Sequence, residues 1–299
     1  MRDDGAGVER QGMIREKLVY SADPLASLLL DRLGLGPGGM AVVALAWGVL
    51  YVLVLPAIFG SLHGTHGYLG SLGDWHAQLL LFLVFPATCA FYAWQPRSIA
   101  GVYRAMDLRW GLVEVGSGYR RRIWLILAVC AATAVVLFDG PKMVVGYGSW
   151  WMTENWAFLV GREASLAAAF YVLAMIAGRQ SVASLEWRRI LSTPLSASGL
   201  RAASTHGLSW TLLMALLGLR LSVEAIELPQ RVGAITPDYY AKIALYFVVG
   251  VFCFWFPLSG SLRRDHGLGL KWLVPGLGVV GILSLPVLGF VVLRFLLGA

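Results

Sequence analysis

Charged residues are scarce in this chain. Asp, Glu, Lys and Arg make up 14% of its 299 residues, whereas about one quarter is usual for a soluble domain. Hydrophobic residues make up 58%, and the mean hydropathy is +0.70. Apolar runs of about 20 residues recur, and each is long enough to cross about 30 Å of hydrocarbon. This composition predicts an integral membrane protein and excludes a soluble enzyme.

Cysteine is also scarce, and its three residues, Cys89, Cys130 and Cys253, all fall inside apolar runs. They form neither a CxxC motif nor the spacing of a disulfide framework, so we expect buried thiols without a redox role. Residues 1–17 are polar and lack an apolar segment, and we therefore expect a disordered tail rather than a signal peptide. No motif identifies a cofactor, and we predict none.

A short amphipathic helix is predicted before the first span, within a cytoplasmic N-terminal region of residues 1–35. Asp23 is suited to cap this helix, Pro24 to occupy its first position and Gly34 to end it. About ten residues are too few to cross a membrane, so the helix is expected on the membrane surface or against the bundle. Its apolar stripe consists of Leu25, Leu28, Leu29 and Leu33.

Residues 36–299 are predicted to form one all-α transmembrane domain, a bundle of about seven spanning helices. The predicted spans cover residues 40–60, 77–95, 123–138, 156–178, 207–228, 237–258 and 273–295.

The positions of Lys and Arg predict the orientation of these spans. Of the 24 basic residues, 18 lie in the N-terminal tail and in alternate loops, two lie in the other loops, and four lie within spans. Cytoplasmic loops of membrane proteins carry an excess of Lys and Arg. We therefore expect the N-terminus in the cytoplasm and the C-terminus outside, in a bacterial-type cytoplasmic membrane.

The span at 207–228 is unusual because it carries three charges. Arg220, Glu224 and Glu227 follow one another at i, i+4 and i+7 and so lie on one helical face. Ionisable residues inside a membrane are energetically unfavourable and mark candidate functional sites.

Three further charges are expected at a similar depth. The turn before Pro237 predicts that the fifth and sixth spans are antiparallel neighbours, which brings Lys242 within reach of Glu224. Two interpretations are open: an outward-facing binding vestibule or ion pathway, and a set of charges at the level of the lipid headgroups. The full charged layer comprises Arg162, Glu163, Arg220, Glu224, Glu227 and Lys242.

The predicted outer loop 61–76 contains residue types that bind divalent metals. Its candidate ligands are His63, His66, Asp74 and His76. A metal needs three or four converging ligands, and the four glycines of this loop favour an ordinary polar loop as the alternative.

Two predicted inner loops, 96–122 and 179–206, are longer than a turn requires. Their basic residues favour amphipathic helices on anionic lipid, or a docking surface for a cytoplasmic partner. The residues that would form such a surface are Arg120, Arg121, Arg122, Arg188 and Arg189.

Three functions remain open from the sequence. The first is transport of a small solute or ion through the charged layer. The second is a non-catalytic membrane subunit, scaffold or sensor with a cytoplasmic partner, and the third is a membrane enzyme with a metal in the histidine loop. The expected partners are the lipid bilayer, a cytoplasmic protein or a second copy of the chain. Nucleic acid is not expected, because the basic residues follow the loops of a membrane protein.

Overall fold

The computed structural model describes part of the chain, and within that part the regular structure is helical and contains no strand. The predicted spans 123–138 and 273–295 and most of 237–258 lie outside the described residues, apart from residue 129. The described residues are 16–17, 19–20, 23–63, 70–105, 129, 151, 156–190, 197–232, 239–240, 242–244 and 246.

Helix α1 begins with the α-helical turn Pro24–Ala26 and continues as a π-helical segment, Ser27–Arg32. Asp23 caps it, since its Oδ1 accepts hydrogen bonds from the backbone N–H groups of Leu25 and Ala26 at 3.1 Å each. Gly34 follows the helix with φ of +63°, a conformation that glycine adopts without strain. The ends predicted from local chemistry are therefore confirmed.

One face of α1 packs into the bundle, but it differs from the predicted stripe. Leu25, Leu29 and Leu30 contact the central core, whereas Leu28 and Leu33 are exposed. In the π-helical segment the N–H of Leu33 bonds to the carbonyl of Leu28, five residues back. This wider turn changes which side chains share a face. Of the predicted stripe, Leu25 and Leu29 contact the core, and Leu28 and Leu33 do not.

Residues 16–17 and 19–20, which precede α1, are also helical. Glu16 and Lys17, expected to belong to a disordered tail, are helical, and Glu16 pairs with Arg97 at 2.9 Å. The Tyr20 hydroxyl donates a hydrogen bond to Asp31 at 2.7 Å. Burial, together with this hydrogen bond to a carboxylate, raises the pKa of Tyr20 above its usual range.

In the part of the chain that the structure describes, three helices are long and apolar enough to cross a membrane, which indicates a membrane location. Helix α2 covers Pro37–Phe59, α3 covers Trp75–Ala105, and α4 covers Trp156–Ile190 with its spanning part at Trp156–Ser184. They correspond to the predicted spans 40–60, 77–95 and 156–178. The next helix, α5, covers Ala197–Val232 and contains the predicted span 207–228.

Helices α3, α4 and α5 extend beyond their predicted ends. Helix α3 continues past residue 95 through Pro96 to Ala105, and α4 continues past residue 178 to Ile190. The segments predicted as inner loops are therefore partly helical continuations of the spans. Helix α3 packs against α2, α4 and α5.

Two π-helical segments interrupt α2 and α3 at corresponding places. They are Leu50–Val54 and Leu80–Val84, and each lies just before a proline, Pro56 or Pro86. A proline has no N–H and its ring clashes with the carbonyl four residues back, so the preceding turn widens to relieve the clash. Both segments have the spelling Leu-x-x-Leu-Val-x-Pro.

Two glycines allow the helices to approach closely. A Cβ at Gly48 of α2 would lie 2.6 Å from the carbonyl oxygen of Leu81 in α3. A Cβ at Gly161 of α4 would lie 2.6 Å from the ring of Tyr51. Small residues at such contacts are typical of packed membrane helices.

Candidate functional site

A buried carboxylate near the C-terminal end of α5 lies among basic side chains. Glu224 Oε1 contacts Lys242 Nζ, and its Oε2 lies 3.1 Å from Arg220 Nη2 and 3.9 Å from His76 Nε2. Only 8% of the Glu224 side chain is exposed. We call these four residues the Glu224 cluster.

Three different segments build this cluster. Arg220 and Glu224 lie one turn apart on α5, His76 lies in the first turn of α3, and Lys242 follows α5 in the chain. The pairing predicted between Glu224 and Lys242 is present. The sequence places His76 among the candidate metal ligands, and its proximity to Glu224 depends on how α3 packs against α5, which no local pattern indicates.

Hydrogen bonding in the Glu224 cluster is incomplete among the described residues. Glu224 Oε2 accepts no hydrogen bond from them, and Arg220 Nε–H donates none, although both atoms are buried. A buried polar atom without a partner is energetically unfavourable and calls for an explanation such as a bound ligand.

The rest of the predicted charged layer is arranged differently. Arg162 pairs with its neighbour Glu163 at 2.7 Å, and 6% of the Arg162 side chain is exposed. The backbone of Glu227 belongs to α5, but its side chain lies outside the described atoms. The structure thus brings Arg220, Glu224 and Lys242 together, and it pairs Arg162 with Glu163.

The candidate metal ligands are only partly described, because His66 lies outside the described residues. His63 is exposed, while Asp74 is buried and caps α3 through a hydrogen bond from Ala77 N–H at 2.8 Å. The other oxygen of Asp74 accepts a hydrogen bond from Trp151 Nε1 at 3.0 Å. Within the described residues no group of three His, Cys, Asp or Glu side chains is placed to hold a metal. The four-ligand site stays a prediction.

The predicted basic docking surface also lies largely beyond the described atoms. Arg120–Arg122 fall outside the described residues, and for Arg188 and Arg189 only the helical backbone of α4 is described. This surface therefore stays a prediction as well.

A second buried carboxylate, Asp23, joins α1 to the bundle. Its Oδ1 accepts a hydrogen bond from the Tyr171 hydroxyl in addition to the two cap bonds. Its Oδ2 accepts hydrogen bonds from the Tyr92 hydroxyl at 2.6 Å and from Arg179 Nη2. The Arg179 guanidinium also lies over the Tyr92 ring, 4.5 Å from its centroid. We call Asp23, Arg179, Tyr92 and Tyr171 the Asp23 cluster.

A buried histidine lies at the same end of the bundle. His206 stacks on Trp94 with ring centroids 5.8 Å apart, and the Trp187 ring lies perpendicular to it with centroids 5.0 Å apart. His206 Nε2 is 2.8 Å from Gln180 Oε1, and Nδ1 is 2.9 Å from the Ser98 hydroxyl. Because Gln180 Oε1 can only accept, we assign the proton to Nε2, and Nδ1 then accepts from Ser98. Both ring nitrogens are occupied, so this histidine is a packing residue.

The two carboxylate clusters differ in how completely their carboxylate oxygens are hydrogen-bonded. Asp23 accepts hydrogen bonds from five donors and is 1% exposed, so it is a saturated structural anchor. Arg179 Nε and Arg220 Nε both lack an acceptor among the described residues, so the difference lies in the carboxylates: Glu224 Oε2 accepts no hydrogen bond from the described residues. Of the described clusters, the Glu224 cluster is therefore the better candidate for binding a ligand.

Sequence reasoning missed the Asp23 cluster. The sequence indicates Asp23 only as a helix cap and Arg179 only as a basic residue of a predicted inner loop. The two are 156 residues apart in the chain, and no local pattern links them. The available signal was Arg179 itself. It is an isolated arginine at the end of the apolar run of α4, and the chain has few acidic residues that could pair with it.

No protein-family model matches the chain, and no curated protein or solved structure shows significant similarity to it.

Proposed function

We propose that this protein is a seven-span transporter or permeation protein of a bacterial-type cytoplasmic membrane. Its N-terminus would lie inside and its C-terminus outside, and the Glu224 cluster would bind a small solute or ion that enters from the outside. Three span-capable helices and the alternating distribution of basic residues support the architecture.

The observation that carries the proposal is the buried Glu224 carboxylate, whose Oε2 accepts no hydrogen bond from the described residues. A charge at the centre of a bilayer costs about 2.5–3.5 kcal/mol on insertion scales. Side chains that bear this cost are usually paired, and they line substrate or ion pathways. The Asp23 cluster shows that this chain can saturate a buried carboxylate fully, so incomplete bonding at Glu224 favours a ligand-exchanging site over an anchor.

The geometry supports a simple mechanism for access. Arg220 and Glu224 are held one turn apart by α5, whereas Lys242 belongs to a later segment. Separating the two segments would break the Glu224–Lys242 contact and admit a ligand.

An apolar layer lies between Glu224 and His206, which are 18 residues or about 27 Å apart on α5. Its residues include Leu213, Met214 and Leu221, which belong to the central core. This apolar layer would close the pathway on the opposite side.

The proposal is tested by reconstituting the full chain in liposomes and measuring currents or fluxes under gradients of H⁺, Na⁺, K⁺, chloride and acetate. Glu224→Gln and Lys242→Gln are expected to reduce the flux at least about tenfold, because each removes one side of the central pair. Glu16→Gln is the matched control, since it neutralises a carboxylate whose partner, Arg97, is 59% exposed. Wild-type flux in both cluster variants would reject the proposal.

A chain that folds and is orientated as expected, but moves none of these ions, would favour the non-catalytic subunit instead. Neutralising Arg120–Arg122 or Arg188 and Arg189 would then be expected to abolish co-purification with a cytoplasmic partner.

A further inference from the structure

Helix α1 forms part of the central core, although it is too short to cross a membrane. Ala26 is fully buried, and Leu25 and Leu30 pack against that core. The same core contains residues of α2, α3 and α4, such as Met40 and Met175. Helix α1 therefore contributes to the packing of three span-capable helices at the end of the bundle where Asp23 is held.

The contact that pins α1 to the bundle is polar. The Asp23 carboxylate accepts hydrogen bonds from the Tyr92 hydroxyl of α3 and from the Tyr171 hydroxyl and Arg179 guanidinium of α4. Water can replace each of these partners once the groups are exposed. A buried ion pair often adds no net stability over apolar packing of similar volume, and its best-attested role is to fix one arrangement or to act as a switch.

The docked form of α1 differs from the form that its sequence favours. An α-helical period places Leu25, Leu28, Leu29 and Leu33 on one face, which is the pattern of a helix that lies on a membrane. In the docked form the segment Ser27–Arg32 is π-helical, so residues five apart share a face, and Leu28 and Leu33 are both exposed. Release from the bundle would allow the α-helical period and would bury all four leucines in lipid.

The connection between α1 and α2 is suited to such a movement. Residues 34–39 include four glycines. Gly34 has φ of +63°, which lets the chain turn sharply at the end of α1. A glycine-rich connection is flexible, so α1 can change direction without disturbing α2.

We propose that α1 is a removable plug with two positions. In the docked position it is π-helical and pinned through Asp23, and in the released position it is an amphipathic α-helix on the adjacent membrane surface. Release exposes the Arg179 guanidinium and the hydroxyl groups of Tyr92 and Tyr171 at the end of the bundle expected to face the cytoplasm. The plug thus controls access to that end. This device goes beyond the transport proposal, and its test needs no measurement of flux.

The test measures how often α1 leaves the bundle of the full-length protein in lipid nanodiscs, where both faces are accessible. The three native cysteines are changed to alanine, and Ala26→Cys places one thiol on the buried side of α1. A water-soluble thiol reagent labels it at a rate proportional to the released fraction when redocking is fast. Ala77→Cys is the reference, because Ala77 is buried in the separate core cluster around Tyr51. Since α1 opens alone, we expect Ala26→Cys to react at least about tenfold faster than Ala77→Cys.

Tyr171→Phe tests the pin. It removes one hydroxyl donor to Asp23 and keeps the ring, so the labelling rate of Ala26→Cys should rise about tenfold or more. Tyr51→Phe is the matched control, since its buried hydroxyl donates to the Phe158 carbonyl and not to α1. We expect no change of rate in this control.

Replacing Leu28 and Leu33 together with glutamine tests the released position. Both side chains are exposed in the docked form, so the core contacts of α1 are kept. The released helix loses two leucines that lipid would bury, and the labelling rate of Ala26→Cys should fall about tenfold or more.

Equal labelling of Ala26→Cys and Ala77→Cys would overturn the inference, because α1 would then leave only when the whole bundle unfolds. An unchanged rate in Tyr171→Phe would also overturn it. So would an unchanged or faster rate in the double leucine variant, since those leucines would not then favour release. If Ala26→Cys disturbs the packing, Ser27→Cys changes a single atom and decides the same comparison.

Discussion

Replacing Asp23 with asparagine is expected to destabilise the protein strongly. Asparagine keeps the size of the side chain and caps a helix as well as aspartate does, so the start of α1 is preserved. The change removes the charge opposite Arg179, whose side chain is 4% exposed. A buried cation without its partner costs about 3–5 kcal/mol. This is a large fraction of the roughly 5–15 kcal/mol by which a typical domain is stable.

The loss can be measured through Cys89, which is buried in the central core close to the Asp23 cluster. In a background with Cys130 and Cys253 changed to alanine, a thiol-reactive dye reports unfolding as it reaches Cys89. A loss of about 3–5 kcal/mol corresponds to a fall of roughly 6–20 °C in apparent melting temperature, at about 2–4 °C per kcal/mol.

Two further variants test the physical reason for the effect. Asp31→Asn is the matched control, because its partner Lys17 is 58% exposed and such pairs contribute about 0–1 kcal/mol. Adding Arg179→Gln to Asp23→Asn is expected to recover part of the loss, since no buried charge is then left unpaired. The reasoning is refuted if Asp23→Asn melts within about 2 °C of wild type, or if the double variant is less stable than Asp23→Asn alone.

Two other predictions follow from the packing and from the charge distribution. Gly48→Ala is expected to lower the apparent melting temperature, because the added Cβ would lie 2.6 Å from the Leu81 carbonyl oxygen. Gly101→Ala is the control: its added Cβ would have no atom within 4 Å, so the change should be neutral or stabilising by about 0.5–1 kcal/mol. Equal effects of the two substitutions would contradict the close contact at Gly48. The expected topology predicts that His63→Cys reacts with an impermeant maleimide on intact cells and that Arg104→Cys reacts only after lysis. The opposite labelling pattern would reverse the orientation.

Local chemistry was sufficient where an interaction spans a few residues. Asp23, Pro24 and Gly34 predicted both ends of α1, because capping depends only on groups within one helical turn. The contact between Glu224 and Lys242 was also predictable, since a short turn and a fixed rise per residue place both at one depth.

The same reasoning failed where the helix period or the helix length departed from the average. The apolar stripe of α1 was drawn with 3.6 residues per turn, but Ser27–Arg32 is π-helical, so Leu28 faces outward. The repeated Leu-x-x-Leu-Val-x-Pro spelling could have indicated the two π-helical segments of α2 and α3. Helix α4 continues to Ile190, beyond the predicted span 156–178. The span was predicted from hydropathy, which indicates where a helix contacts lipid and not where the helix ends.

The sequence by itself predicted a helical membrane protein from the share of apolar residues and the length of their runs, and three described helices long and apolar enough to cross a membrane support it. It also determined that α5 carries charges in an apolar setting. Only the tertiary structure decided which charge meets which partner. Asp23 reaches Arg179 across 156 residues, and His76 comes to Glu224 from another helix, because side chains far apart in the chain meet only where packed helices bring them together. That packing separates a fully hydrogen-bonded carboxylate at Asp23 from a carboxylate at Glu224 with one oxygen that accepts no hydrogen bond from the described residues.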